Sequence, residues 1–154
     1  MNSIPCSRGL RDWPAPDRQE GRDYVLSQYL YISTAPTLPR EDVDAILATS
    51  ARNNPQRGIT GLLLFNGRNF LQLLEGDEGE VSELMQTIAA DPRHSGVSVI
   101  DRRSITARAC PNWAMKRVLI AESIETRRDM LERDLPEALD PEVRKMIVNF
   151  AVLN

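Results

Sequence analysis

Residues that usually carry catalysis or bind metals are scarce in this sequence. It has one histidine, His94, and two cysteines, Cys6 and Cys110, among 154 residues. These numbers exclude a histidine-rich metal site and a zinc-binding cysteine motif. The chain also lacks a phosphate-binding glycine loop and the GxSxG and HExxH motifs. The acidic residues Glu75 and Asp77 fit a solvated loop better than a general acid/base pair, so we expect neither an enzyme nor a metal site.

An excess of positive charge and long apolar runs are missing as well. The 19 basic side chains are outnumbered by 22 acidic ones. A nucleic-acid partner is therefore not expected, because such proteins carry basic patches. No apolar run reaches the roughly 18 residues of a membrane-spanning helix, and residues 1–22 lack the apolar core of a secretory signal. The few cysteines favour a reducing compartment, which predicts a cytoplasmic protein without a membrane partner.

What remains is an ordinary globular composition, with 42% hydrophobic and 27% charged residues. That composition and the chain length fit one domain with a buried core. Residues 1–22 are polar and contain three prolines. They are predicted to form a flexible N-terminal extension.

Hydrophobic periodicity predicts the order β-α-β-β-α-β-β followed by two helices. This is a ferredoxin-like α+β sheet with both inner helices on one face. The run from Leu62 to Phe65 is apolar on both strand faces, so the two C-terminal helices are expected to cover the other face. The predicted strands are 24–33, 58–65, 69–74, 97–106 and 113–120, and the predicted helices are 39–54, 78–90, 124–135 and 141–153.

Gln72 is the most unusual residue of the predicted sheet. It lies in the run FLQLLEG and shares a strand face with Phe70 and Leu74. It could lie on an edge strand and face solvent, but the neighbouring hairpin strand is so apolar that burial is favoured. A buried amide costs about 1–3 kcal/mol unless its donors and acceptor are paired.

Ser50 and Asn54 raise the same question at the end of the first predicted helix. They continue an apolar stripe, so they lie either at an exposed helix end or in a buried polar pocket between the two helices. An amide presents a donor and an acceptor side by side. That pair complements an imide edge, as in flavins and pyrimidines.

Other candidates carry weaker signals. Tyr31 on the first strand is either a core residue with a satisfied hydroxyl or a functional phenol. Arg93 and His94 follow the second predicted helix, where they either cap it or contact a phosphate or a ring. Trp113 and Met115 are two positions apart and are expected on one face of the last strand, with a core position as the default.

Five short motifs follow one another along the chain. They are YIS from Tyr31, NNPQRGITGLLL from Asn53, FLQLLEG from Phe70, DPRH ending at His94, and NWAM ending at Met115. In this order and spacing, the region from Tyr24 to Ile120 resembles a BLUF domain, a flavin-binding sensor of blue light. The resemblance implies a photosensory domain over residues 23–120 and a helical cap over 121–154.

The resemblance also implies a cofactor and roles for single residues. A flavin, FAD with FMN also accepted, would be held non-covalently between the two inner helices. Tyr31 would donate an electron and a proton reversibly, Gln72 would rearrange to give a red-shifted state, and Trp113 and Met115 would relay the signal. The residues expected to bind the flavin are Tyr31, Ser50, Asn54, Gln72, Arg93 and His94.

The following points stay open. Thr87 stands where some relatives carry a basic residue near the phosphate, so the phosphate contact is not assigned. No effector domain is expected after Ile120, so the signal is expected to pass to a separate protein. The C-terminal helices either only cap the sheet or also mediate self-association. A small ferredoxin-like enzyme and a colourless regulatory or oligomerisation domain are the alternative functions, and a yellow, light-responsive protein would exclude both.

Overall fold

The computed structural model describes residues 25–35, 38–120 and 122–153. The predicted N-terminal extension, residues 1–22, lies outside these ranges. The described residues form five strands and four α-helices. These are β1 (Leu26–Thr34), α1 (Arg40–Asn53), β2 (Thr60–Phe65), β3 (Asn69–Asp77), α2 (Glu78–Ala90), β4 (Ser95–Ser104), β5 (Lys116–Arg117), α3 (Ile124–Asp134) and α4 (Pro141–Leu153). Within those ranges, no helix has both the length and the apolar character needed to cross a membrane.

The strands form one sheet in the order β4-β1-β3-β2-β5. β1 pairs antiparallel with both β3 and β4, and β2 and β3 form a hairpin. The hairpin turns at Asn66 and Gly67, where Gly67 has φ 94° and the Asn66 side chain accepts a hydrogen bond from the Asn69 N–H at 2.7 Å. The predicted ferredoxin-like α+β fold is confirmed.

Each face of the sheet is covered by a different pair of helices, as predicted. We call the side packed against α1 and α2 the α1–α2 face, and the side packed against α3 and α4 the α3–α4 face. Because side chains alternate along a strand, each strand contributes to both. Buried residues of the α1–α2 face include Tyr29, Tyr31, Val43, Ile59, Leu63, Phe70, Val81 and Met85. Buried residues of the α3–α4 face include Leu30, Leu62, Leu64, Leu71, Leu73, Leu131, Val143 and Ile147.

The fifth strand differs from its prediction. A strand over 113–120 was expected, but β5 contains only Lys116 and Arg117, which pair in parallel with β2. The Trp113 N–H donates to the Cys110 carbonyl at 3.2 Å, so the chain turns just before this strand. Trp113 packs against the α3–α4 face, whereas Met115 is buried in the α1–α2 face. The expectation that they share one strand face is wrong, because strand alternation does not apply to an irregular segment.

Candidate functional site

Tyr31 and Gln72 form the centre of the site. They are directly opposite each other in the register of β1 and β3 and both point into the α1–α2 face. The Tyr31 hydroxyl donates a hydrogen bond to Gln72 Oε1. Gln72 Nε2 in turn donates to the Met115 sulfur at 3.2 Å. Gln72 is 4% exposed, so its predicted burial is confirmed, and its amide links a phenol to a thioether.

The Tyr31 phenol is held in its protonated form. The side chain is completely buried. Burial raises the pKa of Tyr31 far above its ordinary value, and the negative charge of Asp91 raises it further. Tyr31 therefore donates a hydrogen bond to Gln72 at every physiological pH.

Asn54 brings a second amide close to Met115. It directly follows α1, and its carbonyl accepts the N–H groups of Arg57 at 3.0 Å and Ile59 at 2.9 Å. Its side chain is buried, and Nδ2 donates to the Ala114 carbonyl at 3.2 Å. Across the part of the chain that the structure describes, Asn54 Oδ1 has no hydrogen-bond partner. An acceptor of this amide is therefore available to a ligand.

His94 and Ser33 form a third polar contact on the same face. Ser33 lies two residues beyond Tyr31 on β1, and its hydroxyl is 2.8 Å from His94 Nδ1. The Phe70 ring packs against the imidazole with a centroid distance of 5.1 Å. Burial lowers the pKa of His94, with Asp91 opposing and Arg93 adding to the shift. The imidazole is therefore held in its neutral form.

Three other candidates have side chains that form no hydrogen bond with these groups in the described part of the chain. Ser50 is half-buried on α1, and its carbonyl accepts the Asn54 N–H at 2.8 Å. Arg93 is 41% exposed and forms an ion pair with Asp91 at 2.6 Å. Trp113 packs on the opposite face of the sheet. Flavin contacts of Ser50 and Arg93, and signal relay by Trp113, stay predictions.

The expectation for Glu75 is wrong. The sequence pattern favours a solvated loop, but Glu75 is completely buried near the end of β3. It faces the α3–α4 side, opposite to Gln72, because the two residues are three positions apart on one strand. The alternation with Leu71 and Leu73 in FLQLLEG is the sequence signal that places it inside.

The residues of the α1–α2 face fit a flavin. An isoalloxazine ring is flat and largely apolar, with one polar imide edge. Aliphatic and aromatic side chains dominate this cluster, and the amides of Asn54 and Gln72 provide a few fixed polar groups. An apolar pocket with a small number of convergent polar groups is the usual form of a cofactor site. The free acceptor of Asn54 matches the N–H of an imide.

Comparison with known families agrees with this fit. Residues 26–116 match the family model BLUF, described as sensors of blue-light using FAD. The match spans well over half of the chain. The chain therefore belongs to the BLUF family, and its matched region is a blue-light sensor and not an enzyme. The alternatives of a small ferredoxin-like enzyme and a colourless regulatory domain are thereby disfavoured.

Curated relatives match in the same region. The photoactivated adenylate cyclase subunit beta of Euglena gracilis is 37% identical over 95 residues, which are 60% of this chain and 11% of that protein. The blue light- and temperature-regulated antirepressor BluF of Escherichia coli K12 is 41% identical over 59 residues, which are 38% of this chain and 15% of that protein. The chain thus spans only a small part of the length of these relatives.

Solved structures show the same fold. The dark-state structure of BlrB, a BLUF protein, has a TM-score of 0.66 and 34% identity, covering 82% of this chain and 98% of that one. BlrP1 of Klebsiella pneumoniae has a TM-score of 0.70 and 29% identity, covering 82% of this chain and 32% of that one.

Proposed function

We propose that this sensor converts blue-light absorption by non-covalently bound FAD into a rearrangement of the hydrogen bonds at Gln72. The observation that carries the proposal is the continuous chain from the Tyr31 phenol through the Gln72 amide to the Met115 sulfur. Among the side chains of this site, only Gln72 both accepts from Tyr31 and donates to the segment before β5.

A flavin held by these residues would absorb blue light and supply an excited state that accepts an electron. Tyr31 would give it an electron and the phenol proton, and would take both back before the signalling state is complete. Gln72 relays the proton and returns in a changed orientation or tautomer, because an amide can donate and accept at once. Its bond to Met115 then changes, and Met115 and Trp113 transmit the change. No covalent bond to the protein is formed, so the dark state returns spontaneously.

We propose that Asn54 pairs with the polar imide edge of the flavin and that Ser50 lines the same pocket. His94 and Arg93 would contact the other side of the ring and the phosphate-bearing chain. Threonine carries no charge, so Thr87 cannot pair with a phosphate as a cation. Its side chain is exposed, and its hydroxyl donates to the Glu83 carbonyl at 3.3 Å. The family description names FAD, so we propose FAD as the cofactor, with FMN also accepted.

The test is spectroscopic. The purified protein should be yellow, and heat denaturation should release intact FAD or FMN, identified by chromatography. Blue light should shift the flavin absorption to longer wavelength, with full recovery in the dark. A protein that stays colourless after incubation with either flavin would overturn the proposal.

We further propose that residues 23–120 act as the sensor, that residues 121–154 act as its cap, and that a separate cytoplasmic effector protein receives the signal. The relatives support such coupling, because their names describe a photoactivated cyclase and a light-regulated antirepressor. The exposed apolar side chains Leu119, Ile124 and Leu153 offer a surface near the cap for an effector or a second copy. Size measurement in the dark and in the light would distinguish self-association from effector binding alone.

A further inference from the structure

Glu75 is a buried carboxylate to which the light reaction described above assigns no role. Its two oxygens accept four hydrogen bonds. The donors are Gln28 Nε2 at 3.1 Å, Thr60 Oγ1 at 3.2 Å, the Ala109 N–H at 2.8 Å and the Cys110 N–H at 2.6 Å. A buried carboxylate is costly unless it is paired in this way, so the four donors make this a defined binding arrangement.

Two of these donors belong to the connection between β4 and β5, residues 105–115, which we call the connecting segment. Arg108 of the same segment reaches back to the sheet, donating to the Glu75 carbonyl at 3.0 Å and to the Gly58 carbonyl at 2.6 Å. The middle of the connecting segment is thereby attached to the end of β3 by both a side chain and backbone groups.

The far end of the connecting segment reaches the light-sensing residues. Met115 accepts a hydrogen bond from Gln72, and the Ala114 carbonyl accepts one from Asn54. Only four residues separate Cys110 from Met115. A shift of the segment at Glu75 therefore changes the position of the Met115 sulfur relative to Gln72.

We infer that Glu75 is a positioning residue of the photocycle: it fixes the connecting segment so that Met115 lies within hydrogen-bond reach of Gln72. The inference rests on the proposed function of Gln72. Glu75 acts from the opposite face of the sheet and touches neither Tyr31 nor Gln72. Its effect reaches the site through the backbone of residues 109–115.

The test replaces Glu75 by glutamine, which keeps the shape but can accept only through one oxygen. One of the two backbone N–H groups then faces an amide N–H. Loss of one such bond should slow dark recovery of the red-shifted state about three- to tenfold, because Met115 must return from a loosened segment. Glu78→Gln, an exposed glutamate that pairs with Arg102, is the matched control and should recover at the parent rate.

A second measurement reports on the connecting segment without light. In a Cys6→Ser background, Cys110 is the sole thiol of the chain. It is 1% exposed, and burial raises the pKa of this thiol, with Glu75 raising it further. Glu75→Gln and Arg108→Gln should both accelerate labelling of Cys110 by a thiol reagent, whereas Glu78→Gln should not. Arg108→Gln keeps the Glu75 charge, so its acceleration reports on the segment and not on the pKa of the thiol.

The outcomes separate the two proposals. Slower recovery together with faster labelling in Glu75→Gln, with neither change in Glu78→Gln, would support the positioning role. The positioning role would be overturned if Glu75→Gln recovers in the dark at the parent rate or faster. It would also be overturned if Glu78→Gln changes the recovery rate by the same factor. If Glu75→Gln does not fold, Arg108→Gln decides in the same way, since Arg108 is only half-buried. Absence of any light-induced shift in the parent protein would instead overturn the proposed function, and Cys110 labelling would still show whether Glu75 holds the segment.

Discussion

The two faces of the sheet differ in the composition of their buried side chains. The α1–α2 face combines apolar side chains with two phenols, two amides and an imidazole. On the α3–α4 face, the buried side chains are mostly Leu, Ile and Val, and polarity is concentrated around the single carboxylate of Glu75. One sheet thus separates a chemically active layer from a layer that provides stability.

This difference shows how to recognise function in a buried region. On the α3–α4 face, Glu75 is paired with four donors, although Gln28 Oε1 beside it is buried without a partner among the described residues. On the α1–α2 face, Asn54 keeps an acceptor that no described residue uses. The Asn54 acceptor lies on the face that carries Tyr31 and Gln72, where a ligand would meet several polar groups at once.

The largest expected difference between the two faces is tested by replacing one buried glutamine on each face with leucine. Gln72→Leu should abolish the light-induced red shift while flavin remains bound, because leucine can neither accept from Tyr31 nor donate to Met115. Gln28→Leu, on the α3–α4 side, should keep the red shift and lower the free energy of unfolding by about 1–3 kcal/mol. Light-minus-dark absorption spectra and urea unfolding measure the two effects. A normal photocycle in Gln72→Leu would remove Gln72 from the mechanism.

A second test separates two buried tyrosines on the same face. Tyr31→Phe should lose the usual photocycle, because its phenol proton and its hydrogen bond to Gln72 are both gone. Tyr29→Phe should retain it, since Tyr29 pairs with Leu74 in the sheet register and not with Gln72. Flash photolysis of the two variants measures the difference. An unchanged photocycle in Tyr31→Phe would contradict the assigned role.

The stabilising role of the α3–α4 face can be tested at Ile147, which is completely buried on α4. Ile147→Ala should lower the free energy of unfolding by about 2–5 kcal/mol, because it removes apolar contacts and leaves a cavity. The position of the light-induced red shift should not change. A displaced shift would show that the two faces are less independent than their composition indicates.

The smallest expected effect is a pH dependence at His94. Burial lowers its pKa below the value of 6.5 that applies to an exposed histidine. The negative charge of Asp91 opposes this shift, and the positive charge of Arg93 adds to it. The unfolded chain therefore binds a proton more readily than the folded protein. Stability should decrease as the pH falls below about 6.5 towards the folded-state pKa. Because His94 is the single histidine of the chain, His94→Gln should remove this component of urea-unfolding curves measured across that range. An identical pH dependence in the variant would assign it to other groups.

Local sequence signals were sufficient for most of the fold. Asn66-Gly67 predicts the hairpin turn, and the predicted bounds of α2, Glu78–Ala90, are those observed because Asp77 caps its start and Asp91-Pro92 follows its end. The extent of β5 could not be predicted in the same way. Residues 113–120 have a strand-like composition, but the length of an edge strand depends on how much of it can pair with a distant partner.

The sequence predicted most residues of the site but not the hydrogen bonds between them. Tyr31 and Gln72 were identified, yet their hydrogen bond depends on a register between strands 41 residues apart. Glu75 was missed because the acidic run after it looks like a loop, whereas β3 extends to Asp77. Local patterns find the side chains, and long-range pairing decides which of them meet.

The short fifth strand determines how strongly this edge of the sheet is held. Among the described residues, it is attached to β2 through a few backbone contacts, including Gly61 N–H to the Trp113 carbonyl and Val118 N–H to the Leu63 carbonyl, each at 2.9 Å. At about 0.5–1.5 kcal/mol for each hydrogen bond, this backbone pairing contributes only a few kcal/mol. The shortest strand of the sheet therefore adjoins the residues that are expected to move. A change at a single amide could then shift the backbone of this edge together with Met115 and Val118, which belong to the cores on opposite faces of the sheet.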